Sequence, residues 1–438
     1  MPIDGTVPPT GLALNSESLV DCQATQTTKL VRMLKALQPN NVFYSTKIAK
    51  LCIDSESVLA SFKSQMCFTR KQEILDDQCQ HPPYGTNLTY PLECYRRFCQ
   101  TSGTTNVPLR WLDTLESWNW MLDCWSQIFS MSGVNSRDRI LFAFSFGPFL
   151  GFWTAFEAAT RLGCLCIPGG GLTSIARLHM ILDNKISAVC CTPTYALRLA
   201  EVAREEGIDL SGSHVRKIVV AGESGGSVPA IRGRIETRWP GSQVVDHHGM
   251  TETGPASYQC PQQPGVLHLL ESEYIAEIID ANGDGPATVG EIGELVLTNL
   301  GRLGSPLLRY RTGDLVKTAP EKRCKCGTFN LALHGGILGR IDDMITVRGV
   351  NVYPEAFDQV VRECEGVGEY RVLIQTEREL TELNLEVEPS DKRVHPGTLA
   401  DMLKKALASA LGLRISISVV PAGSLPRYEM KARRWVRL

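Results

Sequence analysis

The stretch SAVCCTPTYALRLAEVAREEGIDLSGSHVRKIVVA, residues 187–221, decides the fold. Ser187 to Thr192 is a short apolar run and reads as a buried strand. Tyr195 to Glu206 follows as a helix, with Ala196, Leu199 and Ala200 at helical spacing, and Val215 to Ala221 is a second strand. The same alternation extends in both directions. Upstream, Arg139–Phe144 is a strand, Phe149–Arg161 a helix, Cys164–Pro168 a strand and Ile175–Asp183 a helix. Downstream, Val228–Trp239 is a helix and Gln243–Asp246 a strand. Short apolar strands separated by helices predict a parallel sheet covered on both faces. Ligands of such sheets bind beyond the carboxyl ends of the strands.

Trp111–Ile128 reads as one amphipathic helix with Trp111, Leu115, Trp118, Leu122, Trp125 and Phe129 on a core-facing stripe. After residue 246 the pattern changes to half-buried strands, Tyr274–Asp280 and Glu294–Thr298, around an Asn282–Gly285 turn. From Gly339 the chain reads as a separate α+β unit: strands Met344–Arg348, Arg371–Gln375, Leu383–Val387 and Arg414–Val419, and helices Pro354–Glu363 and Pro396–Leu411. The expected fold is therefore α/β. A large N-terminal domain over 1–339 has parallel sheets flanked by helices plus a β region, and a small mobile α+β C-terminal domain spans 340–438.

A chain of 438 residues is longer than one core usually supports, which agrees with two domains. Lys plus Arg is 45 against 47 for Asp plus Glu, which excludes a basic nucleic-acid surface and a polybasic membrane anchor. The first thirteen residues lack the features of a signal peptide, no segment reaches membrane-helix length, and the scattered cysteines suit free thiols in a reducing cytoplasm.

Five short motifs carry chemistry. Thr101-Ser102-Gly103-Thr104-Thr105 supplies hydroxyls and backbone N–H groups able to wrap phosphate oxygens, although an exposed Ser/Thr turn has the same composition. Asp246-His247-His248-Gly249-Met250-Thr251-Glu252 begins where a parallel strand ends, and a carboxylate there suits Mg²⁺ shared with substrate phosphates. Tyr310–Leu315 offers Asp314 after a glycine turn, a fit for ribose hydroxyls or a plain Asp turn. Gly339–Pro354 and Leu425–Arg433 complete the set.

In this order and spacing the motifs resemble the adenylate-forming superfamily, and within it the phenylacetate-CoA ligase family. The likeness runs over essentially the whole chain, including Phe68–Lys71 and Pro82–Gly85. The resemblance implies ATP-dependent activation of a carboxylic acid, of aryl or arylacetic type, to acyl-AMP with release of pyrophosphate, then thioester formation with coenzyme A. It implies that Thr101, Ser102, Gly103, Thr104 and Thr105 hold the ATP phosphates. Gly222, Glu223 and Ser224 form the adenine turn, flanked by Asp246 and His248. Asp314 and Arg340 bind ribose, Glu252 holds Mg²⁺ beside Thr251, and Lys431 reaches the site during adenylation. The small domain swings about Asp342, and Arg348, Gly349, Val350 and Asn351 then line the coenzyme A tunnel. Phe144, Phe146, Gly147, Phe149, Gly249 and Met250 form the acyl pocket. A homodimer is compatible with the likeness.

Cys260, His268, Cys324 and Cys326 suit a structural zinc, with unliganded thiols as the other reading. The sequence departs from the family at three places: Asn106-Val107 stands where glycine and lysine are usual, Met430 precedes Lys431 in place of glycine, and His248 replaces a tyrosine. Two other readings stay open: adenylation with transfer to a carrier protein or an amine, and a nucleotide-binding relative without catalysis.

Overall fold

Alternate residues of the central strands point to opposite cores. Ile140 and Phe142 face one hydrophobic cluster with Trp118, Trp125, Ala155 and Ala158. Leu141 between them faces the other, with Leu178, Ile181, Leu199 and Ile231. This period of two is why the strand runs are apolar throughout, since both faces are covered by helices. The computed structural model describes residues 19–55, 57–101, 108–281, 283–319, 323–347, 350–377, 380–391, 393–428 and 432–438.

The strands lie in the order Leu165–Pro168, Arg139–Phe142, Ala188–Cys191, Lys217–Val220, Gln243–Asp246, and every neighbouring pair is parallel. The order reverses at Arg139–Phe142, so a crevice opens at its carboxyl end, where the chain continues into Phe144–Phe149. Helix Pro193–Glu205 starts sharply because the Thr192 hydroxyl accepts from Tyr195 N at 3.1 Å and Pro193 fills its first turn.

The tryptophan helix is shorter than the spacing suggested. Arg110–Thr114 is a strand paired antiparallel with Tyr95–Gln100, and the helix runs from Leu115 to Met131 with Thr114 as its cap, accepting from Ser117 N. Trp118, Trp125 and Phe129 do face the core, but Leu115 is 57% exposed and Trp111 is buried in a separate cluster with Leu109 and Tyr310.

A four-stranded antiparallel sheet, Tyr274–Ile279, Ile292–Asn299, Tyr310–Lys317 and Gly339–Arg340, and a three-stranded one form the β region. Four helices between Leu19 and Gln80, for which the sequence offered no reading, pack Leu30, Leu34 and Phe62 on Ile275 and Leu300. Beyond the short turn Ile341–Asp343, residues 347–413 supply a core of their own. Its sheet has the order Ser416–Val419, Leu380–Pro389, Val367–Glu377, Trp435–Arg437. No described helix is long and apolar enough to cross a membrane.

Candidate active site

The motif at the end of the last parallel strand is held by its own backbone and by the turn beside it. Asp246 accepts from the Ser227 hydroxyl and, at 2.9 Å, from His247 N. Gly226 lets the Gly222–Gly226 turn close over it, since a Cβ there would lie 2.5 Å from the Asp246 carboxylate. His247 is turned into the core: its Nδ1 sits 2.8 Å from Ser257 O and its ring lies 4.4 Å from that of Trp125. His248 faces the next motif, with Nε2 at 3.3 Å from Asp314 Oδ2. These two buried atoms are misaligned and hydrogen-bond to nothing described. Burial holds both histidines neutral, near 4, and pushes Asp314 up to about 6 against the pull of Arg340. The contact is therefore not an ion pair at neutral pH. It is a pair of orphaned polar groups of the kind a hydroxyl-bearing ligand satisfies.

Arg340 donates to Asp314 Oδ1 at 2.6 Å and to Thr312 O at 3.2 Å, across the ladder pairing of those two strands. Gly313 turns there with φ +76°, and a side chain would meet the Arg340 guanidinium at 3.2 Å. Asp342, expected at the hinge, lies in the exposed turn 3.6 Å from Arg340.

Glu252 is buried, and the Lys71 ammonium lies 3.5 Å from its carboxylate. Lys71, which has no role in the motif pattern, brings a cation to this carboxylate in a chain whose Val107 stands where a lysine is usual. The loop bearing Glu252 is fixed by a second residue the sequence did not single out. Arg302, fully buried, donates to Thr251 O at 2.7 Å and Glu252 O at 2.8 Å. Its remaining donors form a bidentate pair with Asp113, both bonds 2.7 Å. The only local hint was an arginine set among Leu300, Gly301, Leu303 and Gly304.

In the aromatic loop, Phe144 and Phe146 rings are 4.4 Å apart, and Phe146 meets Trp153 at 4.8 Å and Phe156 at 5.5 Å. Trp153 Nε1 donates to Gly147 O at 3.1 Å, and Phe149 folds against Gly147 and Gly151. Gly249 and Met250 sit apart from that cluster, on a two-residue strand paired with Gly254–Pro255, with Met250 against the Trp111 cluster.

Glu223, expected in an adenine turn, uses both carboxylate oxygens on backbone donors: Oε1 accepts from Thr194 N at 2.8 Å and Oε2 from Ala432 N at 3.0 Å. Gly222 has φ +93° and begins that turn, which includes Ser224, after the strand Lys217–Val220. Thr101 lies at the edge of its loop, with Oγ1 accepting from Leu109 N at 3.0 Å. Ser102, Gly103, Thr104, Thr105, Arg348, Gly349 and Lys431 lie outside the described residues. Val350 and Asn351 belong to a strand paired with Ile345–Val347.

The four expected metal ligands come together: Cys260, His268, Cys324 and Cys326 place their donor atoms within 4.8 Å of one another. A cavity of about 440 Å³, lined by Arg137, Arg139, Lys185 and Arg216, lies at the amino ends of the sheet. It is at the wrong end of the strands for the motifs above.

Family models match two parts of the chain: residues 97–301 as AMP-binding enzyme and residues 349–437 as AMP-binding enzyme C-terminal domain. Over 437 residues the chain is 29% identical to a phenylacetate-coenzyme A ligase of Escherichia coli K12, covering 96% of each. A phenylacetate-coenzyme A ligase of Thermus thermophilus is 27% identical over 430 residues, 93% of this chain and 94% of that one. Among solved structures, 2-hydroxyisobutyryl-CoA ligase in its postadenylation state superposes with a TM-score of 0.88 at 27% identity, over 95% of this chain and 90% of that one. The same ligase in its thioesterification state, with coenzyme A, superposes at 0.72 and 28% identity, over 96% and 91%.

Proposed function

We propose that this chain, which belongs to the adenylate-forming superfamily of AMP-binding enzymes, is an AMP-forming acid–CoA ligase. The observation that carries the reading is the convergence of His248, Asp314 and Arg340, from three separated motifs, at one end of the sheet, with Glu252 in the His248 motif. A carboxylate oxygen of the acid attacks the α-phosphorus of ATP, the bond to pyrophosphate breaks, and acyl-AMP forms. The coenzyme A sulfur then attacks the acyl carbon, its proton passes to solvent, and AMP leaves with one oxygen of the original carboxylate.

In this reading Asp314 and Arg340 orient the ribose, and the Gly222–Ser224 turn and His248 border the adenine. Thr101–Thr105 and Lys71 meet the phosphates, and Lys431 stabilises charge on the adenylating oxygens. Glu252 is a buried single carboxylate beside the phosphate side of the site, which fits Mg²⁺, an ion usually held by one or two carboxylates plus phosphates. When bound there, Mg²⁺ neutralises charge on the leaving pyrophosphate. The large domain, 1–339, holds these groups apart from Arg340 and Lys431, and 340–438 turns about Asp342 to bring Arg348–Asn351 to the thiol. The packed Phe144–Phe146 wall favours a flat, apolar acid of aryl or arylacetic type.

A structural zinc completes the reading. Tetrahedral ligation at ordinary bond lengths sets two thiolates about 3.8 Å apart and a thiolate and imidazole nitrogen about 3.6 Å apart. Cys260 and Cys324 are 3.7 Å apart, and Cys326 is 3.5 Å from His268 Nε2. His268 Nδ1 faces Asn330 O at 3.1 Å, which leaves Nε2 free to ligate. The site would tie the Ser257–Leu269 hairpin to the 324–330 loop. The free cysteines suit a cytoplasmic location.

Incubation with ATP, Mg²⁺ and a panel of aryl, arylacetic and aliphatic acids, with and without coenzyme A, tests the function. AMP together with an acyl-CoA mass supports it. Acyl-AMP that coenzyme A does not consume would move the acceptor to a carrier protein or an amine, and no AMP with any acid would count against it.

A further inference from the structure

We propose that Glu223 is the docking residue that holds the C-terminal unit in its adenylating arrangement, a positioning role that rests on the ligase reading above. Its carboxylate joins two parts of the chain 209 residues apart in sequence. Oε1 accepts from Thr194 N, one of the donors left open at the amino end of the helix Pro193–Glu205. Oε2 accepts from Ala432 N, the residue directly after Lys431. With both oxygens so engaged, the carboxylate is set for docking, and contact with adenine falls to the main chain of the turn. Both bonds are charge-assisted and in hydrogen-bond range.

A second tether joins the same two parts. Arg427 is anchored in its own unit by Glu388 at 2.6 Å and reaches Glu201 on that helix at 3.5 Å. Helix Pro229–Arg238 also packs against Pro354–Glu363 beside them. The arrangement that carries these contacts superposes on a relative's postadenylation state at 0.88 and on its thioesterification state at 0.72. A turn of the small unit to its second face must break the Ala432 bond, while the Thr194 bond, internal to the large domain, survives. Glu223 therefore favours one half-reaction over the other. Lys431 needs to be delivered only in the first, and a pinned neighbour at Ala432 restricts where it can reach.

Glu223→Gln tests this. The carboxamide keeps shape but has one acceptor oxygen, and its amino group confronts whichever N–H the oxygen does not take. Two rates are read: pyrophosphate release from ATP and acid, and consumption of supplied acyl-adenylate by coenzyme A. The ratio of the first to the second is expected to fall about 10- to 100-fold, the loss typical of a hydrogen bond to a charged group. Ala432→Pro removes the same bond from the other side and is expected to lower the ratio similarly, with the double variant no worse than the deeper single. An unchanged ratio, an equal fall in both rates, or additive losses would overturn the proposal. Hydrogen exchange over 432–438 reports docking without catalysis. Faster exchange in Glu223→Gln is expected, and unchanged exchange would overturn the docking role even if the wild-type chain proves an active ligase. A wild-type chain that made no AMP yet showed the exchange difference would fault the ligase reading and leave the docking contact standing.

Discussion

Removing Arg302 should damage both stability and adenylation, and the two effects can be separated. Its guanidinium and the Asp113 carboxylate are both fully buried and meet through two 2.7 Å bonds. Arg302→Met strands the Asp113 charge in the core and leaves Thr251 O and Glu252 O without their donor. Breaking one side of a buried pair costs about 3–5 kcal/mol. Replacing both partners by apolar groups of similar size is often close to neutral, so Asp113→Leu with Arg302→Met should recover most of that stability. Activity should not recover, because the loop bearing Glu252 stays untethered. Loss of positioning at a charge-stabilising group is expected to leave adenylation about 10- to 100-fold down. Urea midpoints measure the first effect and pyrophosphate release the second. A double variant restored in both stability and rate would refute the positioning argument. A single variant that lost less than about 1 kcal/mol would refute the burial argument.

Lys431→Ala should cut AMP formation about 100- to 1,000-fold while consumption of supplied acyl-adenylate by coenzyme A is largely retained, as stopped-flow pyrophosphate and thiol assays would read. Glu355 is pushed up to about 7, chiefly by burial, with Asp343 and Asp314 adding to the shift and Arg340 opposing it. Its contribution to stability is fully present below its ordinary 4.5 and is lost as pH rises through about 7. Glu355→Gln should therefore flatten the fall in unfolding free energy, read from urea melts, between pH 5 and pH 8 by on the order of 3 kcal/mol. Chelation or Cys324→Ser should release about one zinc per chain by elemental analysis and lower the melting temperature, with the loss reversed in the wild type by added zinc. Phe146→Ala should raise KM for aryl acids more than for short aliphatic ones, measured by AMP release across the acid panel.

The strands and helices of the parallel sheet were readable because their local periods and their burial agree: each strand is apolar on both faces and each helix on one. Trp111 misled for the opposite reason. Its spacing continues a helical stripe, but Thr114 caps the helix and residues 110–114 find a partner in 95–100, a pairing no local pattern announces. The motif residues His248, Asp314 and Arg340 could be named from sequence because each motif is contiguous. Arg302, Lys71 and the two backbone contacts of Glu223 could not. Each acts through contacts to backbone or side chains remote in sequence, and the partners Asp113, Glu252 and Ala432 carry no mark of it. The set Cys260, His268, Cys324 and Cys326 was legible as metal-type donors, whereas its closeness depends on a hairpin and a loop meeting in space.

The most direct test of an acyl-adenylate route follows the oxygen. An acid labelled with ¹⁸O in both carboxylate positions, turned over with ATP, Mg²⁺ and coenzyme A, should yield AMP carrying one ¹⁸O, because the carboxylate oxygen that attacked phosphorus stays there when the thiol displaces AMP. Unlabelled AMP, or ADP and phosphate in its place, would contradict the account.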